Sequence, residues 1–395
     1  MNINFSRMEW SGSVGDLGAL LPLAFALIMI NGLSATGLFF VAGLFYIIGG
    51  YYYRVPIAVQ PMKVISAYAI AQSLSPEVIT ASGFIVAVLL LFLGLSGIVD
   101  KAAKIIPLPV IRGVQLSTGV LLLLKGAYLA LGISGLQEIK GSSEPFLSFG
   151  SIGPLPMSIF IAVVFAVIAR RLRESRRYPA GLIVVGCGAL FGLLMGAWHG
   201  LAELDPGIHL PHLLPFGFPS GADFSFALLA LVLPQVPMTL GNAVIANRNL
   251  SFEYFGNESR RVTDRALCVS MGCANFLAAL FGGMPLCHGA GGLAAHYRFG
   301  ARTSGSNFII GGILVLLAIF FGTSSVKILQ LIPMGVLGVL LAFSGIQLVL
   351  TGRDMTTRVQ RATLLVMLGI TLLLNLAWAF GFGIAFYAVY HRINN

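Results

Sequence analysis

Apolar runs of close to twenty residues succeed one another along this 395-residue chain, separated by short polar or basic loops. An apolar helix of roughly 20 residues is what crosses the hydrocarbon of a bilayer. That window predicts fourteen helical segments, at about 13–31, 36–53, 55–72, 77–99, 107–131, 155–170, 179–198, 224–246, 264–282, 285–300, 304–322, 327–351, 359–374 and 376–391. The third, tenth and last two are short for full crossings; half-helices account for the third and tenth, and the last two are read as tilted or reaching only partway. The expected fold class is an all-α polytopic membrane protein.

Composition leaves little room for another class. The chain is 57% hydrophobic and only 10% charged, against about 25% charged in a soluble domain. A net charge of +10 would suggest nucleic acid in a soluble protein. Here the cations sit in short loops between apolar runs, so they report orientation in the membrane instead. With the N-terminus inside, Arg7, Arg54, Lys101, Lys104, Arg112, the Arg170–Arg177 cluster, Arg248, Arg260, Arg261, Arg265, Arg298, Arg302, Arg353, Arg358, Arg361 and Arg392 fall on the inner side. Lys125, Lys140 and Lys327 fall outside, and Lys63 lies within a segment. The expectation is a multi-pass protein of the cell membrane with both termini cytoplasmic. The polar N-terminus does not read as a cleaved signal. Cys187, Cys268, Cys273 and Cys287 show no CxxC spacing and read as small buried residues, not as metal ligands or disulfides.

Two predicted segments are interrupted in the same way. Val55-Pro56 leads to Gln60-Pro61-Met62-Lys63, and Met284-Pro285 leads to Cys287-His288-Gly289-Ala290-Gly291. In each, a proline stands four positions before a predicted helix start, at Gln60 and at Gly289. Such breaks are costly in lipid unless they line a protected cavity, and paired breaks in corresponding halves point to the substrate site of a transporter. The stretch from Ile106-Pro107 to Gly126 also aligns without gaps with Ile332-Pro333 to Gly352, 226 positions on. Seven segments per repeat is an odd number, so the second copy enters from the opposite side. The expected repeats are residues 1–200 and 220–395.

Helix starts at Gln60 and Gly289 would aim free N–H groups and positive dipole ends inward, an anion site without a dedicated cation. Pro61 is tolerated in a first turn, and Gly289 and Gly291 admit a ligand close to the backbone. Lys63 adds a formal charge at a depth where placing one costs about 3 kcal/mol; the bland alternative is a snorkelling or structurally paired lysine. His288 could donate to an anion or titrate, or equally cap a helix. Met62 and Cys287 read as packing residues beside the ligand. In the eighth segment Gln235, Thr239 and Asn242 share one face at i, i+4, i+7, a neutral stripe suited to an oxygen-rich solute or to holding helices together. Asp16, in Gly15-Asp16-Leu17-Gly18, either carries a coupling proton or caps its helix. Among these candidates stands no Walker A sequence, nucleophile–base pair or carboxylate dyad; an enzyme or a resident cofactor is not expected.

The strings Gly15-Asp-Leu-Gly, Val59-Gln-Pro-Met-Lys63, Leu233-Pro-Gln-Val-Pro-Met-Thr-Leu240 and Pro285 through Arg302 resemble the molybdate transporter family, a relative of the SulP sulfate permeases. The resemblance covers most of the chain. It implies a seven-plus-seven inverted repeat with a core domain (1–100 and 220–322) and a gate domain (101–200 and 323–395). Substrate would lie between segments three and ten, facing the first and eighth. The SulP C-terminal STAS domain has no counterpart in these residues. The implied function is secondary import of a tetrahedral oxyanion, molybdate with tungstate or sulfate as alternatives. Since an inside-negative potential opposes a dianion, coupling to protons is expected, with Asp16 or His288 as carrier. A gate-mediated homodimer is expected by analogy alone. A nucleobase carrier of the same fold is the second reading, weakened because Gln235 stands where such carriers resemble one another in using a glutamate. A receptor or channel is the non-transporter alternative.

Overall fold

The computed structural model describes residues 3–99, 101, 107–172 and 180–393. Lys104, Ile106, Arg173, Arg176 and Arg177, on which the charge bias and the repeat partly draw, lie outside the described residues. The first half comprises α1 (Arg7–Ser13), α2 (Leu17–Met29), α3 (Ala35–Tyr53), the strand β1 (Gln60–Pro61), α4 (Lys63–Gln72), α5 (Pro76–Ser96), α6 (Leu108–Leu131), α7 (Gly135–Lys140), the hairpin β2–β3 (Ser151–Ile152 and Leu155–Pro156), α8 (Met157–Leu172) and α9 (Ala180–Leu194). The second half opens with α10, a long helix over Gly221–Ser259. It continues with α11 (Asp264–Leu280), β4 (Leu286–Cys287), α12 (Ala290–Arg298), α13 (Gly305–Phe321), α14 (Ser325–Leu329), α15 (Met334–Leu350), α16 (Arg358–Leu373) and α17 (Leu376–Ile393). Among the described residues seven helices are long and apolar enough to cross a membrane, or eight if α9 is joined to the turn Ala197–Glu203, bent from it by 87°.

Local chemistry sets the boundaries. Ser34 and Thr263 accept hydrogen bonds from Gly37 N and Ala266 N, capping α3 and α11. The predicted segment 327–351 needs correction: α14 ends at Leu329 and α15 begins only after Pro333, whose ring ends one helix and suits the start of the next. The segment 13–31 begins late, since residues 14–16 form a turn after α1 and its helix is α2 alone, Leu17–Met29. In α10, Pro234 and Pro237 each lack an amide, and the helix widens into π turns at Leu228–Val232 and Thr239–Ala246.

Two groups of helices result. In one, α3 packs on α13 and α5 on α11; in the other, α6 packs on α15 and α16, and α16 on α17. Bare backbone makes the closest crossings. A Cβ added at Gly119 would stand 2.7 Å from the Gly345 carbonyl oxygen, and one at Gly126 2.5 Å from that of Gly338. Gly119 and Gly345 are equivalent positions of the 226-residue repeat, so α6 and α15 cross at their matched glycines. Gly43 and Gly311 make the corresponding close approach between α3 and α13. Packing of this kind lets helices associate in lipid, where hydrophobic burial supplies no drive between them.

The N-terminus of α15 is held from outside the membrane-crossing helices. Glu144, 1% exposed in the loop after α7, accepts hydrogen bonds from Met334 N and Gly335 N, both at 2.7 Å. Burial pushes its carboxyl up to about 7, against the opposing pull of the two amides. A raised carboxyl contributes stability below its unfolded value near 4.5 that is lost as pH rises through 7. Between pH 5 and 8 the wild type should therefore lose stability relative to Glu144→Gln, by up to about 3 kcal/mol. Thermal unfolding of both proteins across that pH range measures the difference; parallel curves would refute it.

Candidate functional site

The segment from Val55 to Met62 is extended and fully buried, and so is the segment from Met284 to Gly289. Their peptide groups have no helix to satisfy them, and each stretch finds partners in the other and in asparagine side chains. β1 and β4 pair antiparallel, Gln60 opposite Cys287 and Pro61 opposite Leu286, and Met62 N donates to Pro285 O at 2.8 Å. Asn307 on α13 accepts from Ile57 N at 3.1 Å and donates to Ile57 O at 2.8 Å. Asn275 on α11 does the same for Leu286, at 2.9 and 2.8 Å. Ile57 and Leu286 lie 229 residues apart, the same spacing as Pro56 and Pro285. Each break is thus held by an asparagine that pairs with both the N–H and the C=O of one residue, in two successive peptide groups.

The short helices that follow start later than the sequence suggests. α4 begins at Lys63, not at Gln60, which is drawn into β1; α12 begins at Ala290 with Gly289 as its N-cap residue. The first turn of α4 is already capped. Gln235 Oε1 accepts from Val64 N at 2.9 Å and Ile65 N at 3.3 Å, while its Nε2 donates to Thr239 Oγ1. The expectation of two bare helix tips therefore needs correction at α4, where a neutral side chain occupies the amides. At α12, the amides of Ala290 and Gly291 have no acceptor among the described residues.

Two cavities, of about 340 and 200 Å³, share Lys63, Gly291, Ser344 and Gln347 as walls and form one chamber. The larger part adds Asn242 from α10 and Arg112 and Gln115 from α6. The smaller adds Asp16 and Gln60. Asp16 Oδ1 accepts from Gln60 Nε2 at 2.6 Å, while Asp16 Oδ2 and Gln60 Oε1 have no hydrogen-bond partner among the described residues. The Asp16 side chain does not cap α2, which removes the structural alternative raised for it. Lys63 Nζ would stand 4.0 Å from a Cβ built on Gly291, which places the ammonium over the first turn of α12. At the wall opposite, Arg112 binds Asp354 through two nitrogens and donates to Gln115 Oε1 at 2.9 Å, and Thr351 Oγ1 donates to the same oxygen at 2.8 Å.

Of the residues singled out in sequence, Asp16, Gln60, Lys63, Asn242 and Gly291 line this chamber. Gln235 and Thr239 stand behind α4, and Met62 and Pro61 are buried within the break. Cys287 turns its thiol to Pro61 O at 3.8 Å. Gly289 packs on the Gln60 side chain, leaving no room for a Cβ, and Ala290 opens α12 behind it. His288 points away from the chamber. Its Nδ1 meets Ala58 O at 2.8 Å and its Nε2 meets Ser270 Oγ at 3.0 Å, with Tyr53 OH beyond the serine. Sequence reasoning misses Gln115, Ser344 and Gln347. Their signal is an uncharged polar side chain inside an apolar helix, and Arg112 reads in sequence only as a loop cation.

The fold is shared with solved transmembrane anion transporters. It superposes on the transmembrane domain of a cyanobacterial bicarbonate transporter, BicA, with a TM-score of 0.68 at 16% identity, over 95% of this chain and 98% of that one. For the murine Slc26a9 anion transporter in the inward-facing state the TM-score is 0.69 at 14% identity, over 100% of this chain and 70% of that one. The chain belongs to the molybdate transporter family: the profile described as "Molybdate transporter of MFS superfamily" matches residues 8–122 and 227–348. Relatives include Molybdate transporter 2 of Arabidopsis thaliana, 32% identical over 96% of this chain and 86% of that protein. Molybdate transporter 1 of Chlamydomonas reinhardtii is 33% identical over 87% and 84% respectively. The superfamily label in that description and the folds just named differ; the superposition is the direct measure of architecture.

The two glutamines on either side of the chamber should behave differently when made apolar. Gln235→Leu strands two buried amides and should cost about 1–3 kcal/mol of stability. Gln347→Leu, exposed on the chamber wall, should change it by less than about 0.5 kcal/mol. Thermal unfolding of purified protein separates the two; equal losses would contradict the capping geometry.

Proposed function

We propose that this protein is a secondary transporter that imports molybdate across the cell membrane by alternating access. The observation that carries the reading is the chamber itself. An ammonium, Lys63, stands over the bare first-turn amides of α12, and the neutral donors Gln115, Ser344 and Gln347 face it from α6 and α15. Family membership and the names of the relatives supply molybdate as the particular oxyanion; tungstate and sulfate share its tetrahedral dianionic chemistry. In this reading the chain makes fourteen crossings in two inverted sevens, with α4 and α12 as half-crossings. The core (1–100 and 220–322) contains the α3–α13 and α5–α11 pairs, the gate (101–200 and 323–395) contains α6 and α15, and the chamber lies between. Both termini are cytoplasmic, in keeping with the arginine bias.

Import of a dianion against an inside-negative potential is opposed by about 4.6 kcal/mol per 100 mV, so a coupled cation is required for accumulation. Asp16 is the residue proposed to carry it. Its Oδ2 lies unpartnered in the same chamber as Lys63, and an ionised carboxylate there repels an entering anion. Protonation removes that repulsion, so proton and anion bind together. His288 is a poorer carrier in this arrangement, since both its nitrogens already hold partners.

Calorimetry of the purified protein with molybdate, tungstate, sulfate and uracil tests the assignment. Oxyanion binding with no uracil response is expected, and the reverse would overturn it. Lys63→Ala should weaken molybdate at least tenfold. Gly292→Ala should do the same, because its Cβ would stand 2.5 Å from Asp16 Oδ2; Gly312→Ala, where a Cβ meets nothing within 4 Å, should leave affinity unchanged. In proteoliposomes, Asp16→Asn should bind molybdate independently of pH and lose uptake driven by a proton gradient. Uptake that still follows the proton gradient would remove Asp16 from coupling.

A further inference from the structure

The chamber does not account for a second concentration of positive charge. Where α3 ends and α11 begins, a cavity of about 350 Å³ is lined by Arg54, Arg260, Arg261 and Arg302, with Glu258 as an acidic wall. Arg54 occupies the left-handed region at φ 64°, a conformation seldom taken by residues other than glycine. Two of the four cations are engaged. Arg261 donates to Tyr52 O at 3.1 Å, and Arg302 donates to Ala301 O at 2.8 Å while lying 3.7 Å from the Tyr297 ring centroid. The side chains of Arg54 and Arg260 have no hydrogen-bond partner among the described residues. Four like charges around one small space repel each other, and an anion of more than one oxygen relieves that repulsion.

A second observation says what carries that anion. An apolar groove of about 410 Å³ runs along α3 and α11, walled by Val41, Leu44, Ile48, Leu95, Val269 and Leu277, with Arg265 among its lining residues. Ile48 and Leu95 are exposed, on helices of membrane-crossing character. Groove and cavity adjoin along the chain on both sides. Tyr52 and Tyr53 of the groove run into Arg54, Thr263 follows Arg261 by two residues, and the Arg261–Tyr52 hydrogen bond closes the wall between them.

We propose that this face binds an anionic phospholipid, its phosphate in the arginine cavity and an acyl chain in the groove between α3 and α11. A soluble phosphate would use the cavity but has nothing to place in the groove. The position gives such a lipid leverage on the transport site. Arg54 immediately precedes the extended segment that carries Gln60, and Arg302 lies four residues past the end of α12. A headgroup bridging them ties the outer end of α12 to the start of the extended segment that leads into α4.

The test is the unfolding midpoint of the purified protein in neutral detergent, in a Lys63→Ala background in which oxyanion binding to the chamber is weakened. Dioctanoyl phosphatidylglycerol, dioctanoyl phosphatidylcholine and inorganic phosphate are titrated in turn. Phosphatidylglycerol should give a saturable rise at a concentration at least tenfold below phosphatidylcholine, and phosphate should give none. Arg260→Gln should raise the half-saturating concentration about fivefold, and Arg54→Gln with Arg260→Gln by about the square of that. Should the double variant fail to fold, Arg260→Gln alone decides, since its side chain gives up no hydrogen bond. Equal response to the two lipids, an unshifted Arg260→Gln titration, or a rise reproduced by phosphate alone would each overturn the proposal.

Discussion

A peptide group cut off from helix and from water inside a membrane must find a protein partner, and that constraint organises this structure. The chain leaves helix twice in the buried interior, at 55–62 and 284–289, and the polar groups around those stretches serve their backbone. β1 and β4 satisfy one another; Asn307 and Asn275 each pair with the N–H and the C=O of one residue; Gln235 closes the first turn of α4. Only with those groups satisfied can α4 and α12 start in the interior and bring Lys63 and Gly291 to a common chamber. The asparagines and the glutamine are therefore prior to the site, although none of the three lines it.

The residual polarity of the chamber is small and specific in kind. Lys63, Arg298 and the α12 amides are positive, Asp16 is the nearest acid, and Arg112 is largely neutralised by Asp354. An entering anion thus meets the Lys63 ammonium, an acid able to be silenced by a proton, and a wall of neutral hydrogen-bonding groups. Gln60 links the two halves of that balance, donating to Asp16 while its own oxygen rests against Gly289. A shift of the Gln60 peptide on anion binding would be felt at the carboxylate in the same step.

Much of this architecture is legible in the amino-acid sequence alone. The apolar windows locate helices because membrane helices are set by length and hydrophobicity, and the proline pairs locate both breaks because proline cannot be hidden inside a regular helix. What the one-dimensional pattern does not carry is how the breaks are satisfied. The Gln60-Pro61 pair reads as a helix start; it is a strand, since its partner lies 226 residues away at Leu286-Cys287 and nothing local announces it. Gln235 reads as a ligand residue because its face matches Thr239 and Asn242, yet Gln235 stays bonded to Thr239 and turns its oxygen to the α4 amides, while Asn242 alone of the three lines the chamber. His288 reads as an anion donor from its position beside Gly289, while its ring turns to Ser270. Gln115, Ser344 and Gln347 escape notice because a single polar residue in an apolar helix carries no sign of which neighbour it faces.

The glycines at which α6 and α15 meet have a mechanical meaning. Where carbonyl oxygens of one helix rest against the Cα hydrogens of another, at Gly119–Gly345 and Gly126–Gly338, neither helix can slide or roll without lifting the other out of contact. The pair behaves as a single beam. In the proposed transport cycle, opening of the chamber to one side and then the other would be taken up where α4 packs on α6 and α2 on α15, with the glycine crossing itself unbent.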